Sequence, residues 1–475
     1  MTSAEPQTQA AAEPTLPLFF PAFLVFLLCA PLYKAGNRPL PLLLLELAAV
    51  AFLFALLAVR PQRLNLPRPL TAALAILLGY PLVQMLPLPE SWWRLLPGHA
   101  EYIAAIDRFA QSLVQSGVVT PARTLSVIPG ATEQGWLALL PPLACLWVVL
   151  RLRSEQLTRL LTIMSVFAAL EAVLGLLQVG TLGGAVFYRP DDAATGDGRA
   201  LGTFINPDHF AAFLGTTLPV AVGLLVYGMR GKGGRAERDD AGEPAGVRDA
   251  NFLAQRMLLF AVAVLLLLSL VMTGSRAGVF SGLAALALTT LLLRRRSGRH
   301  GPHRLLMPAL LGLVAVLALL VGMAPFLDKL SPGTLASAWE GRWLMTVTTL
   351  RAAVEFLPFG SGLSTLGGVF PRFQAGLGGG IDFAHNDYAQ ALLELGMAAP
   401  VMIGLAFWAY ATRMRTLWRA PLSGPITTIQ LAAGIALVPV MLHSAFDFGL
   451  HMPGLAMWFA TLAGVLFHRG DSAAG

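Results

Sequence analysis

Charge is what this chain has least of. Only 12% of its 475 residues are Asp, Glu, Lys or Arg, while 56% are hydrophobic and the mean hydropathy is +0.67. Soluble domains carry roughly 25% charged residues, so water is not the main solvent of this protein. Cysteine is also scarce. Cys29 and Cys145 both sit inside long apolar runs, where they read as small buried hydrophobes and exclude a disulfide framework or a thiolate metal site. Residues 1–15 lack the basic n-region and cleavage site of a secretory signal, so the first apolar run is expected to stay as a helix. No Walker motif or dinucleotide fingerprint occurs: the glycines at 376–380 have no lysine after them, and nucleotide-driven chemistry is not expected. No internal repeat is visible, which counts against the many secondary transporters built from related halves.

What the chain has in abundance is apolar runs. A bilayer core takes roughly 20 apolar residues per helix, fewer where the ends are anchored, and about twelve runs qualify. They are 16–33, 39–59, 70–86, 136–150, 160–179, 210–227, 257–272, 279–293, 305–326, 388–410, 426–443 and 453–467. The expected fold is all-α and polytopic, a single transmembrane domain over 16–467 with tails at 1–15 and 468–475. The formal charge of +7 is then topological and not a nucleic-acid footprint, and no nucleic-acid partner is expected.

Lys and Arg accumulate in cytoplasmic loops, and placing both termini in the cytoplasm puts roughly two thirds of the 33 basic residues there, including the triplet Arg294, Arg295, Arg296. Three sizeable loops fall on the outer face, about 87–135, 180–209 and 327–387. The third contains an amphipathic stretch, 338–356, suited to lying along the membrane surface, and long loops of this kind are usually functional or disordered. The inner loop 228–255, rich in Gly, Arg, Asp and Glu, reads as a flexible connector.

The outer loops hold the chemistry. Around Arg199, Gly202-Thr203-Phe204-Ile205-Asn206 leads into Pro207-Asp208-His209; Asn206 and Asp208 serve equally well as a turn and helix cap or as polar groups facing a substrate. Thr273-Gly274-Ser275-Arg276-Ala277-Gly278 is a tight turn in which Arg276 either snorkels or, with Ser275 and backbone N–H groups at a helix start, surrounds a phosphate. The segment from Asp382 to Tyr388 contains His385, Asn386 and Asp387, with Glu394 one turn further into the apolar phase. A histidine transfers protons near neutral pH and nearby carboxylates can fix its tautomer, while Asn386 or Asp387 is also a plausible helix cap. Arg342, Arg351 and Arg372 make the same loop basic, which suits an anionic lipid or diphosphate; singly, each reads as an interfacial arginine. His443-Ser444-Ala445-Phe446-Asp447 and His451 form the last turn, and their spacing fits no strong metal-ligand pattern, so no metal is expected. Glu171, inside the fifth run, reads as paired with a polar neighbour such as Gln178.

Four of these elements in this order resemble the O-antigen ligase and polymerase superfamily of bacterial envelope glycosyltransferases: Arg199 with 202–206, Thr273-Gly274-Ser275-Arg276, Gly360-Ser361-Gly362-Leu363-Ser364-Thr365, and His385-Asn386-Asp387-Tyr388 with Glu394-Leu395-Gly396. The resemblance spans roughly 124 to the C-terminus. It implies a GT-C-like fold in the inner membrane and a periplasmic reaction on an undecaprenyl-diphosphate-linked oligosaccharide, without metal or other cofactor. Carried onto this chain, it makes Arg199 and Arg276 the residues that hold the diphosphate and His385 the general base. Asn206, Ser275, Arg342, Arg351, Asn386, Asp387, Tyr388 and Glu394 are then expected to line the substrate. The implied acceptor is a lipid-linked repeat unit in a polymerase or lipid A core in a ligase, with membrane lipids and a chain-length regulator as further partners. Polymerisation of O-antigen or exopolysaccharide is favoured because 443–453 looks like the segment found in exopolysaccharide-type members. The alternatives are a ligase, a protein glycosyltransferase, and, in another class, a lipid-linked sugar transporter or flippase.

Overall fold

The computed structural model describes residues 18–59, 66–115, 123–180, 198–230, 245–297, 303–321, 332–374, 381–420 and 425–470. The expected tail 1–15, half of the connector 228–255, the glycine run 376–380 and parts of all three outer loops lie outside the described residues. Those described are overwhelmingly helical and include no strand. The helices are α1 (Phe19–Cys29), α2 (Pro39–Val59), α3 (Arg68–Gln84), α4 (Glu90–Trp93), α5 (Ala100–Gln115), α6 (Pro129–Leu137), α7 (Leu140–Val149), α8 (Ser154–Gly180) and α9 (Pro207–Arg230). After them come α10 (Ala245–Met272), α11 (Arg276–Ser297), α12 (His303–Val321), α13 (Pro332–Phe356), α14 (Leu366–Val369), α15 (Asp387–Leu395), α16 (Ala398–Arg419), α17 (Pro425–His443) and α18 (Pro453–Phe467).

Among the described residues, five helices are long and apolar enough to cross a bilayer: Pro39–Ala58, Ser154–Gly180, Pro207–Val226, Leu253–Met272 and Ile426–His443. Four shorter apolar helices accompany them. These nine described helices do not confirm the expected count of about twelve, and two of the expected runs are interrupted. The run 136–150 is divided between α6 and α7 where Pro141 and Pro142 enter the first turn of α7; proline has no N–H to continue a helix and is at home only in its first turn. The run 388–410 is cut at Gly396, whose φ of 56° ends α15 before α16 begins.

Helix α9 is the hub. Its whole apolar window is buried, packed by α8, α10, α11 and α17. Small residues permit this approach: Gly215 of α9 faces Gly282 of α11 and Pro439 of α17, and Ala211 faces Gly278. Between helices in lipid, where burial from water contributes nothing, such close backbone packing supplies much of the attraction. By contrast α2 is almost unburied. It forms with α1 a lateral apolar groove onto which Cys29 opens, so Cys29 is exposed while Cys145 is buried as expected.

Hydrogen bonds gather the loops at one end of the bundle. Lys34 N–H reaches Thr203 O (3.2 Å), Ser126 N–H reaches Gln84 O (2.8 Å), Val127 N–H reaches Ser361 O (2.9 Å) and Asp387 N–H reaches Ser444 O (2.8 Å). A polar cap covers part of this end, where Arg372 bridges Glu101 and Glu355 at 2.8 Å each and Arg94 bridges Glu90 and Asp107. At the opposite end His468 Nε2 contacts Leu152 O (2.7 Å) while its own carbonyl accepts from Arg413 and Gln430, tying off the last helix.

Candidate functional site

Three loops converge at the capped end. The first, 198–206, is held from below by α8: Gln178 accepts from Leu201 N–H (3.1 Å) and donates to Gly202 O (2.8 Å), and Glu171 accepts from Thr203 N–H (2.9 Å) and its hydroxyl (3.1 Å). Glu171 and Gln178, read from the sequence as a pair, both act on this loop instead. The loop in turn presents Arg199, whose Nε donates to Thr273 O (2.6 Å). Gly274, at φ +63°, lies flat against that guanidinium; a Cβ there would stand 3.2 Å from Arg199 Nε, so glycine both makes the turn and leaves room for the arginine.

Asp208 collects the cations. Its Oδ2 pairs with Arg342 at 2.5 Å and its Oδ1 lies 3.8 Å from Arg199, while the Ser275 hydroxyl reaches the same carboxylate. Arg276, half-buried, is the next residue and the first of α11. Asn206 accepts from Asp208 N–H (2.8 Å) and shapes the turn that aims Asp208. One residue on, His209 points to a different partner. Its Nε2 is 3.4 Å from Asp447 Oδ2.

Asp447 is the centre of the second cluster. It is 1% exposed and faces three imidazoles: His209, His443 (Nε2 at 3.5 Å) and His385 (Nδ1 at 3.5 Å). These separations are longer than well-formed hydrogen bonds and are governed by electrostatics. Burial would push the Asp447 carboxyl up, but His209, then His385 and His443, hold it well below the usual carboxylate range. His385 is the most accessible of the three histidines and has a left-handed backbone, φ 50°. Phe448 packs edge-on against both His209 and His385 and stacks on Phe383 with ring centroids 4.3 Å apart. Although the residue types suit a metal, among the described residues no group of three or more His, Cys, Asp or Glu is arranged to hold one.

A third layer fixes the segment that carries His385. Asn386 caps α15, accepting from Ala389 N–H (3.0 Å). Asp387, buried, accepts from Ser444 Oγ (2.7 Å) and faces His451 Nδ1 (2.9 Å). Gln390 accepts from Ala384 N–H, donates to Glu394 (2.9 Å) and faces His451 Nε2 (3.1 Å). Since a Gln390 N–H pointing at Nε2 needs an acceptor there, His451 carries its proton on Nδ1 and donates to Asp387. Glu394 also accepts from Ser364 N–H (2.8 Å), joining α15 to the Gly360–Thr365 turn. These groups hold the protein together around His385; they are already committed to one another.

The predicted residues thus separate. Arg199, Arg342, Ser275 and Asn206 meet at Asp208, with Arg276 adjoining; His385 meets Asp447; and the consecutive pair Asp208-His209 ties the two centres. Asn386, Asp387 and Glu394 lie behind. Tyr388 donates to Met441 O (2.6 Å) and lines a lateral apolar cavity of about 490 Å³ together with Ala277, Phe280, Met441, Ala445 and Phe446. Arg351 is exposed and makes no hydrogen bond or ion pair among the described residues. Sequence reading weighed His443 and Asp447 only as metal ligands and gave His209 no role; the available signal was Asp208-His209 heading a helix that is otherwise apolar and buried.

Residues 261–404 match the family model described as O-antigen ligase. That segment holds Ser275, Arg276, Arg342, Arg351 and the 385–394 group, and stops short of Asp447. No curated protein matches the chain.

Proposed function

We propose, from the match of residues 261–404 to the O-antigen ligase family and from the motifs that resemble its superfamily, that this chain is a periplasm-facing glycosyltransferase of the bacterial inner membrane. It moves a glycan from undecaprenyl diphosphate onto an acceptor hydroxyl. Its capped end faces the periplasm, both termini are cytoplasmic, and the shorter and broken helices complete a GT-C-like bundle of about twelve spans. The observation that carries the reading is the contact of His385 Nδ1 with Asp447.

With Nδ1 protonated toward a buried carboxylate, Nε2 is left with its lone pair available as a base. In the proposed reaction Nε2 takes the proton of the acceptor hydroxyl, whose oxygen attacks the anomeric carbon. The bond from that carbon to the phosphate oxygen breaks, and its electron pair leaves on the diphosphate. Arg199, Arg276 and Arg342 stabilise the growing negative charge; arginine suits this because it stays charged and grips two oxygens at once. Asp208 presets two of these arginines before the donor arrives. The apolar cavity beside Tyr388 is lined by Ala277 and Phe446, the chain neighbours of Arg276 and Asp447, which favours a donor with a prenyl chain. Attack opposite the leaving group inverts the anomeric configuration, and retention in the product by NMR would refute direct displacement.

Polymerisation of lipid-linked repeat units remains the favoured reaction, on the 443–453 segment that contributes Asp447. The family description favours a second, transfer to lipid A core. Purified protein in liposomes, given a lipid-linked repeat unit alone, is expected to make a ladder of longer glycans. Product only after lipid A core is added would establish a ligase, and product only with a pilin-like protein a protein glycosyltransferase. Movement of the intact lipid-linked unit across the bilayer with no product would establish a transporter.

A further inference from the structure

Helix α13 delivers Arg342 to Asp208, yet much of its surface faces away from the protein. Its inward side is made of Thr348, Thr349, Ala352, Ala353 and Phe356, all buried. Its outward side carries Trp343 (58% exposed), Leu350 (39%) and Val354 (68%). Offsets of seven and eleven residues return to nearly the same direction on a helix, so these three make one stripe, flanked by exposed Leu344 and Arg351.

Two anchors fix the direction of the second half of α13. Midway along the helix, Arg342 is tied to Asp208 in the first turn of α9. Just past its end, Phe359 O accepts from Tyr80 Oη (2.8 Å) and Gln84 Nε2 (3.1 Å) in the last turns of α3. Both anchors lie at the capped end of the bundle. The fourteen residue steps from 342 to 356 span about 21 Å of helix, so this half of α13 runs across that end and not along the bundle axis. The stripe adjoins apolar surface on the α16 region, one of the spans of the bundle proposed above: Met397 N–H bonds Pro358 O (2.9 Å), and Met397, Val401 and Phe407 are all exposed.

We infer that α13 lies in the plane of the outer leaflet, with Trp343, Leu350 and Val354 seated among the upper acyl chains and Arg351 in the headgroup layer. Tryptophan and arginine are the residues that favour this depth, and an in-plane helix binds through its apolar face. The occupant of the surface is phospholipid. Because Arg342 immediately precedes Trp343, membrane seating also sets how far Arg342 reaches toward Asp208; this consequence and the choice of leaflet, unlike the in-plane seating, rest on the function proposed above.

The test is spin-label accessibility in nanodiscs, on full-length protein with Cys29 and Cys145 replaced by Ala and one cysteine placed at position 350, 354 or, as a water-facing control, 90. Labels at 350 and 354 are expected to relax more with oxygen than with a water-soluble nickel chelate, and the label at 90 the reverse. Nickel-dominant relaxation at 350 and 354 overturns the proposal, as does protection from both agents, which would mean that protein covers the stripe. The readout needs no turnover, so it stands or falls apart from the enzymatic reading. On that reading, Leu350→Gln with Val354→Gln should lower kcat more than it raises the donor KM, because Arg342 acts on charge that grows in the transition state; an unchanged kcat would remove the link to Arg342.

Discussion

Two carboxylates lie at the head of the bundle, Asp208 half-buried and Asp447 buried, and they keep opposite company. Asp208 gathers permanent cations, Arg342 and Arg199, while Asp447 gathers titratable ones, His209, His385 and His443. Both carboxylates would be costly if left alone in a low-dielectric interior. The arginines keep their charge at any physiological pH and suit a leaving group that is always anionic. Imidazoles exchange protons in that range and suit an acceptor that must lose one. Adjacent residues, Asp208 and His209, belong one to each centre, so the first turn of α9 registers the two against each other.

The division can be broken from either side. Replacing His385 with Ala should have the largest effect, a loss of about 10² to 10⁴ in kcat, because a positioned base contributes that much; full activity in a single-turnover assay would remove His385 from the chemistry. Arg199→Lys or Arg276→Lys should cost roughly 10² to 10³, since an ammonium cannot reproduce the two-pronged grip on a developing anion. The loss should appear equally at every pH, and a pH-dependent loss would erase the distinction between the centres.

Asp447→Asn should lower kcat about 10- to 100-fold, less than removal of the base itself. It also has a stability signature. A carboxyl whose folded pKa is depressed contributes stability that is present above its unfolded value, about 3.9, and lost as pH falls through the folded value. The difference in melting temperature between wild type and Asp447→Asn should therefore be constant from about pH 5 to 8 and shrink below about pH 4. A difference that instead shrinks between pH 6 and 7 would mean that the histidines, and not the aspartate, control the centre. Arg351→Ala should do least: an exposed arginine without an ion pair among the described residues changes transfer by less than roughly twofold, and a large loss would bring Arg351 into the site.

How far the site was legible in the sequence follows the same line. Arg199, Ser275 and Arg276 stood out because polar groups at the edge of long apolar runs need a reason to be there. Apolar runs also gave α2 and α18 their limits, 39–59 and 453–467. Asp208 looked like a cap, since local spacing alone cannot show that Arg342, far along the chain, arrives to pair with it. Asp447 was weighed only as a metal ligand, because its three imidazoles come from three different helix ends and meet through packing around α9. The predicted helix 388–410 failed for a similar reason: hydropathy runs straight through Gly396 and does not register its left-handed backbone.

The central claim is that His385 and Asp447 act as one unit on the acceptor hydroxyl. The direct measurement is single-turnover transfer from a lipid-linked repeat unit by wild type, His385→Ala, Asp447→Asn and the double variant in liposomes. Groups that work together are not additive, so the double variant should be no slower than His385→Ala alone. If His385→Ala transfers glycan at the wild-type rate, or if the two losses multiply in the double variant, the account is wrong.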